Sequence, residues 1–204
     1  MRDLCIDLPR ALRADLGNRP AVNVLAVSRI DEDHCRGIKD LFRSEHAEKG
    51  EPQGAIAVRE LWVPAALITE DEPSGEVLLI QREARKRLLD GRGIRVFSHP
   101  SALEDWCAEQ EEDLAERKHL IVDAACLVPS LSFDRGGVEI FVHSPFAERA
   151  GSGDLAMRNA TSLAFIRRSA SGASGPALSS PPTFSTTTCG GSSRSLGGRG
   201  GITA

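Results

Sequence analysis

The sequence predicts an α/β fold, an open, doubly wound parallel sheet of about five strands. Three observations lead there. The runs VNVLAV (Val22 to Val27), GIRVFS (Gly93 to Ser98), HLIVDA (His119 to Ala124) and VEIFVH (Val138 to His143) have strand length and are rich in β-branched residues, as strands buried on both faces are. Segments with apolar residues at helical spacing lie between them. Crossovers joining parallel strands are right-handed almost without exception, so this alternation settles on a sheet covered on both faces.

The elements follow in order. Leu8, Leu12 and Leu16 fall at i, i+4 and i+8 before Gly17, which predicts a short leading helix with a glycine cap, so residues 1–20 are a helical extension. VNVLAV then forms the first strand, with Pro20 before it. Asp31 or Asp33 caps a helix whose inner positions are Cys35, Ile38, Leu41 and Phe42, with His46 and Lys49 near its end. KGEPQG (Lys49 to Gly54) is a loop. The apolar stretch from Ala55 to Thr69, interrupted by Pro64, predicts a short helix entering a strand, AALIT.

EDEPSG (Glu70 to Gly75) is a turn, and the next helix carries Val77, Ile80, Ala84 and Leu88 on one face before Gly91. After GIRVFS, Ser101 with Glu104 three residues on reads as a capping box. It opens a helix to about Lys118 with Leu103, Trp106, Cys107, Gln110 and Leu114 inward. HLIVDA and VEIFVH are the last strands, the second opened by Gly136 and Gly137.

Composition divides the chain. Asp154 is the last acidic residue, and no Asp, Glu, Lys or His follows it. The folding domain is read as 21–168, and residues 169–204, rich in Ser, Gly, Thr and Pro, as a disordered tail. Such an abrupt loss of acids and lysines also suits translation in a shifted frame of a GC-rich gene, which the nucleotide sequence would decide. Through Asp154, 20 basic residues stand against 29 acidic ones, a net −9, and the five basic residues beyond are all Arg. An acidic body argues against a nucleic-acid surface, which needs clustered Lys and Arg.

The five cysteines (Cys5, Cys35, Cys107, Cys126, Cys189) include no C-x-x-C pair, which points to reduced thiols in a cytoplasmic protein. No apolar run reaches the length of a membrane span, and the N-terminus lacks the pattern of a signal peptide.

In an open parallel sheet the functional crevice lies beyond the carboxyl ends of the strands. That selects Ser28 to His34, Thr69 to Glu72, Ser98, His99, Asp123 and Ser144 to Phe146. Carboxylates converging on that rim, Asp31 and Asp33 first, suit Mg2+ through oxygen ligands, although acids opening a helix are favourable for its dipole alone. The histidines show no metal-binding spacing; His99, at a strand end, is the best placed. Asp123 is a candidate catalytic group or a loop-bonding one. GRG (Gly91 to Gly93) precedes its strand and reads as a turn rather than a phosphate cradle. Arg82, Arg85 and Lys86 read as a solvated helix face.

The order of these parts resembles a receiver domain of the response-regulator type, a flavodoxin-like fold. NVLAVSRIDEDHCRGIKDLF (Asn23 to Phe42) is similar to the first receiver strand and helix, and VPAALITEDEPSG (Val63 to Gly75) to the third strand with its phospho-acceptor loop. GGVEIFVHSPF (Gly136 to Phe146) is similar to the fifth strand and its loop, and LAMRNATSLAF (Leu155 to Phe165) to the final helix. The resemblance implies Asp71 or Thr69 as phospho-acceptor candidates and Ser144 and Pro145 as the switch loop; Asp31 and Asp33 remain metal candidates only by their place on the rim.

It also implies what is lost. Ser28 and Arg29 stand where receivers carry an acidic pair, and Ser144 stands where they carry a Lys. The expectation is a degenerate, non-catalytic receiver-like module of a two-component signal-transduction system. It binds a protein partner in the cytoplasm, touches no membrane, and takes no cofactor unless the acidic site holds Mg2+. The alternative is a small α/β enzyme with a strand-end acidic site using Asp71, His99 or Asp123.

Overall fold

In the computed structural model the structure describes residues 7–18, 20–44, 54–129, 131–145 and 162–169. Helix α1 (Leu8–Leu16) forms where the leucine spacing predicts it; the Asp7 carboxylate accepts from Arg10 N at 3.1 Å and Gly17 closes it. Strand β1 (Ala21–Ala26) follows. The helix expected after Asp31 or Asp33 divides into α2 (Glu32–Cys35) and α3 (Ile38–Leu41), because Gly37 between them takes the left-handed conformation at φ 85°. Phe42 opens a short strand, β2 (Phe42–Arg43).

The stretch up to Thr69 reverses the expected order. The strand comes first, β3 (Ile56–Pro64), and AALIT is a helix, α4 (Ala65–Thr69), with all five residues buried. Pro64 marks the change: it has no N–H to extend the ladder, and its φ of −67° suits entry into a helix. Helix α5 (Gly75–Leu89) buries Val77, Ile80, Ala84 and Leu88, as their spacing predicts.

Strand β4 (Ile94–Phe97) precedes α6 (Ser101–Glu109), whose N-cap is Pro100. Ser101 is therefore inside the helix and makes no capping bond, so the capping-box reading fails. The helix expected to reach Lys118 also breaks: Glu111 has φ 58°, and a separate α7 (Leu114–Arg117) and a 3-10 turn (Lys118–Leu120) follow. His119 lies in that turn, which shortens β5 to Ile121–Val122. After α8 (Phe133–Gly136) come β6 (Val138–Ser144) and β7 (Ala164–Ser169). Ala164 and Phe165 thus extend as strand where a final helix was expected. The rest of that expected helix, 155–161, and the tail from 170 lie outside the described residues.

A five-stranded, wholly parallel sheet with helices packed on it is the flavodoxin-like α/β class the sequence predicts. Its main order is β1-β3-β4-β5. One edge of β3 pairs with β1, from Ala21↔Ala57 to Ala26↔Trp62; its other edge takes β2 at Ile56 and Ala57, then β4 from Leu61↔Ile94 to Pro64↔Phe97. Strand β5 completes the sheet through Val96↔Ile121 and Phe97↔Val122.

The two faces are covered differently. On one, Leu61, Val63, Ile94 and Val96 pack against α4, the inner face of α5, and Leu103 and Cys107 of α6. On the other, Trp62, Phe97 and Val122 pack against Val128, Val142 and Leu163, with Phe165 beside them. This second cover is an antiparallel hairpin of β6 and β7, registered from Val138↔Ser169 to Ser144↔Ala164. VEIFVH is a strand, as expected, but it belongs to this hairpin and not to the parallel sheet where a fifth receiver strand would sit. Trp62, Phe97 and Phe165 form a three-ring cluster with centroids 5.2 to 5.5 Å apart. Edge-to-face rings of this kind contribute about 0.5–1.5 kcal/mol per pair beyond the area they bury. Among the described residues, no helix is long and apolar enough to cross a membrane.

Candidate functional site

The carboxyl rim of the sheet gathers the segments after β1, β4 and β5. After β1, the Ser28 carbonyl accepts Leu163 N at 2.8 Å, so this loop is held by the residue that leads into β7. Arg29 Nη2 lies 2.6 Å from Asp31 Oδ2 in a half-buried ion pair, and the Arg29 carbonyl accepts the Cys35 thiol at 3.7 Å. Asp31, Asp33 and His34 each present one ligand-capable atom, all within 4.8 Å of one another. Asp33 is exposed and stands 3.8 Å from His34 Nε2.

The fit of this group to Mg2+ is poor. A hard divalent cation needs several carboxylate oxygens to offset its dehydration, and Arg29 already supplies the positive charge at Asp31. A metal there would have to displace the guanidinium. Cys35, fully buried behind the group, has its thiol pushed up to about 11 by burial and then by the charges of Glu76, Asp31 and Asp33.

Thr69 and Asp71 are not brought to a strand end. Thr69 is the last residue of α4, and its hydroxyl donates to the Ala65 carbonyl at 3.5 Å, an ordinary helix-internal contact. Asp71 is exposed in the following turn. The carbonyls ending α4 are taken by Gln81 Nε2, which donates to Leu67 O at 2.9 Å and Glu70 O at 2.6 Å, and by Arg85, which donates twice to Ile68 O. Arg85 also lies over the Trp106 ring at 5.4 Å, so it is a bridge between helices and not part of a solvated face. Burial pulls its guanidinium below the ordinary value, and the charge of Asp71 counters that.

At the ends of β4 and β5, His99 and Asp123 do meet. Asp123 Oδ1 accepts His99 N at 3.0 Å, and His99 Nε2 lies 2.9 Å from Glu104 Oε1 on the first turn of α6. His99 and Asp123 stand at the strand ends where the sequence places them, whereas Glu104, expected in a capping box, meets His99 from the first turn of α6. Ser144 and Pro145 end β6. The Ser144 hydroxyl donates to Ser162 O at 2.7 Å and Pro145 is buried, so both serve the base of the hairpin.

The buried ionic centres were not legible as sites. Glu83 and Arg87 of α5 form a pair at 2.6 Å, and Ser44 donates to Glu83. Glu60 accepts from Arg95 at 3.0 Å and from Trp62 Nε1 at 2.8 Å. Both groups lie on structural elements, away from the rim. Comparison with known proteins gives no match of this chain to a protein-family model, a curated protein or a solved structure.

Proposed function

We propose that this chain is a non-catalytic signalling or protein-interaction domain of receiver-like type, with a rim that does not take up a phosphoryl group in the usual way. The observation that carries this reading is the Arg29–Asp31 ion pair. It puts a guanidinium where phosphoryl transfer to a carboxylate would need a divalent cation. The Thr69 hydroxyl is taken up inside its helix, and Asp71 lies exposed in the turn that follows. The domain then acts through binding another protein in the cytoplasm. Incubation with Mg2+ and a small phosphodonor such as acetyl phosphate, followed by intact mass, tests it. The unmodified mass is expected; stoichiometric aspartyl phosphate overturns the reading.

A second reading is a small α/β enzyme, and the His99–Glu104 contact favours it. The Glu104 carboxylate lies beside an imidazole nitrogen that has no hydrogen-bond partner among the described residues, which leaves that nitrogen for a substrate proton, and Asp123 accepts from the backbone that carries it. His99→Gln at unchanged stability separates the two: loss of turnover in a hydrolase screen supports the enzyme. Equal behaviour of variant and wild type in every assay sinks it.

A further inference from the structure

We propose that two copies of this chain pair antiparallel along β7, joining their hairpins into one four-stranded sheet about a two-fold axis through Ile166. This rests on the protein-interaction reading and supplies it with a surface and a partner.

Among the described residues the hairpin has one engaged edge and one open edge. The free side of β6 is met by 125–128: Ala125 N donates to Val142 O, Val142 N to Cys126 O and Val128 N to Ile140 O, with a bridge between Leu127 and Phe141. The outer edge of β7 has no strand partner among the described residues. An unpaired edge presents backbone donors and acceptors ready for another strand. The outward face adds apolar area to that edge. Leu127, Phe141 and Ile166 lie in register across the three segments, and the row ends in solvent at Ile166, which is 58% exposed, with Leu127 at 43%.

The sequence of β7 selects a second copy as the occupant. With Ile166 opposite Ile166 of the second copy, Arg167 faces Phe165 and Arg168 faces Ala164. The apolar row then runs unbroken from Leu127 to Leu127 of the second copy, and no arginine opposes another. Centring the axis on Arg167 or Arg168 would set like charges directly opposite, which is destabilising. Arg168 is already turned over the Phe133 ring at 4.4 Å, clear of the axis.

Leu163 N donates to Ser28 O, so β7 begins beside the end of β1, and β1 is itself the edge strand of the parallel sheet. The contact is a two-fold, self-complementary one that closes on itself, and its small extent makes it a reversible dimer.

Sedimentation velocity over a concentration series is expected to show the weight-average mass rising from one chain toward two. Ile166→Asp sets two carboxylates on the axis and is expected to weaken the dimer at least tenfold; because Ile166 is exposed, the fold should persist, as circular dichroism will show. Ile166→Cys is expected to give a disulfide-linked dimer under mild oxidation in excess of wild type, since directly opposed residues bring Cβ atoms to about 4.5–5.5 Å. Arg168→Cys, opposed to Ala164, is expected to give none. A monomer at every concentration, a dimer unaffected by Ile166→Asp, crosslinking through residue 168 instead of 166, or an edge taken only by a different protein overturns the inference. None of these outcomes bears on the phosphodonor test, so failure of the dimer and failure of the interaction reading are separately visible.

Discussion

The Arg87 guanidinium donates through Nη2 to the Val58 carbonyl at 3.1 Å, in the gap on one edge of β3 between the end of β2 and the start of β4. It also donates through Nη1 to Gly93 O at 2.8 Å and through Nε to Glu83 at 2.6 Å. A side chain of α5 thus takes the place of a missing stretch of strand. Arg87 is 3% exposed, and unpaired backbone groups at such a position would carry a full desolvation cost.

Arg87→Ala is therefore expected to cost about 3–5 kcal/mol, read from urea unfolding, because it leaves both carbonyls and the buried Glu83 carboxylate short of a partner. Arg87→Lys should recover only part, since one ammonium cannot serve three acceptors set around a planar fork. Adding Glu83→Leu to Arg87→Ala should lessen the loss without removing it, because the Val58 carbonyl still lacks the guanidinium and the Gly93 carbonyl keeps only the Leu61 N–H. An Arg87→Ala protein less than about 1 kcal/mol weaker than wild type would refute this role.

Glu60 joins Arg95 and Trp62 on the hairpin side of the sheet. Its side chain is about one quarter exposed, so the loss on removal is discounted for solvent: Glu60→Ala is expected to cost about 2 kcal/mol. Glu60→Gln keeps an acceptor for the indole N–H and should cost less. Near-ultraviolet circular dichroism should change in Glu60→Ala and stay close to wild type in Glu60→Gln; equal spectra in all three would count against the contact.

The legible parts of this fold are those where burial on one side stamps a period on the sequence. Val77, Ile80, Ala84 and Leu88 showed α5 because one face of that helix is buried and the other is wet. The reversal at Pro64 was not legible because LWVP and AALIT are buried throughout, and a run that is apolar on every side has no period to read. VEIFVH announced a strand but not its sheet: Phe141 and Val142 are compatible with either, and the partner, AFIRRS, is polar because its outer face and end are exposed. At the rim, the acids were found by position alone. Their fates depend on short contacts, Arg29 on Asp31 and Glu104 on His99, that spacing does not encode.

Glu76 ties α5 to the turn between α2 and α3. Burial by itself would raise its carboxyl, but the backbone N–H groups of Gly37, Lys39 and Ile38 and the Lys39 ammonium outweigh it and hold the group below the ordinary 4.5. Lys39 N donates to its Oε2 at 3.3 Å, and Lys39 Nζ lies 3.7 Å from Oε1. A carboxyl lowered in the folded state adds stability above its unfolded value, and that stability is lost as pH falls through the folded one. Wild type should therefore lose more stability than Glu76→Gln on acidification from neutral pH to below 4.5. Parallel losses in the two proteins would show that Glu76 has no part in it.

Cys35 gives a chemical reading of whether α2 stays closed over the core. Its thiol is fully buried, and burial with the nearby charges of Glu76, Asp31 and Asp33 pushes it up to about 11. At pH 8 only about one molecule in a thousand then carries the reactive thiolate, and even that is shielded. Cys107, on the buried face of α6, is raised as well, chiefly by burial and then by Glu112, with Arg117 opposing. Cys126 is only half-buried. Iodoacetamide at pH 8, read by peptide mass, is expected to modify Cys126 and to leave Cys35 and Cys107 intact, and urea should release both. Substituting Gly37 by Ala strains a left-handed position and loosens the break between α2 and α3, so alkylation of Cys35 should then accelerate while Cys107 stays protected. Native Cys35 reacting as fast as Cys126 would mean that the α2 segment does not close over the core.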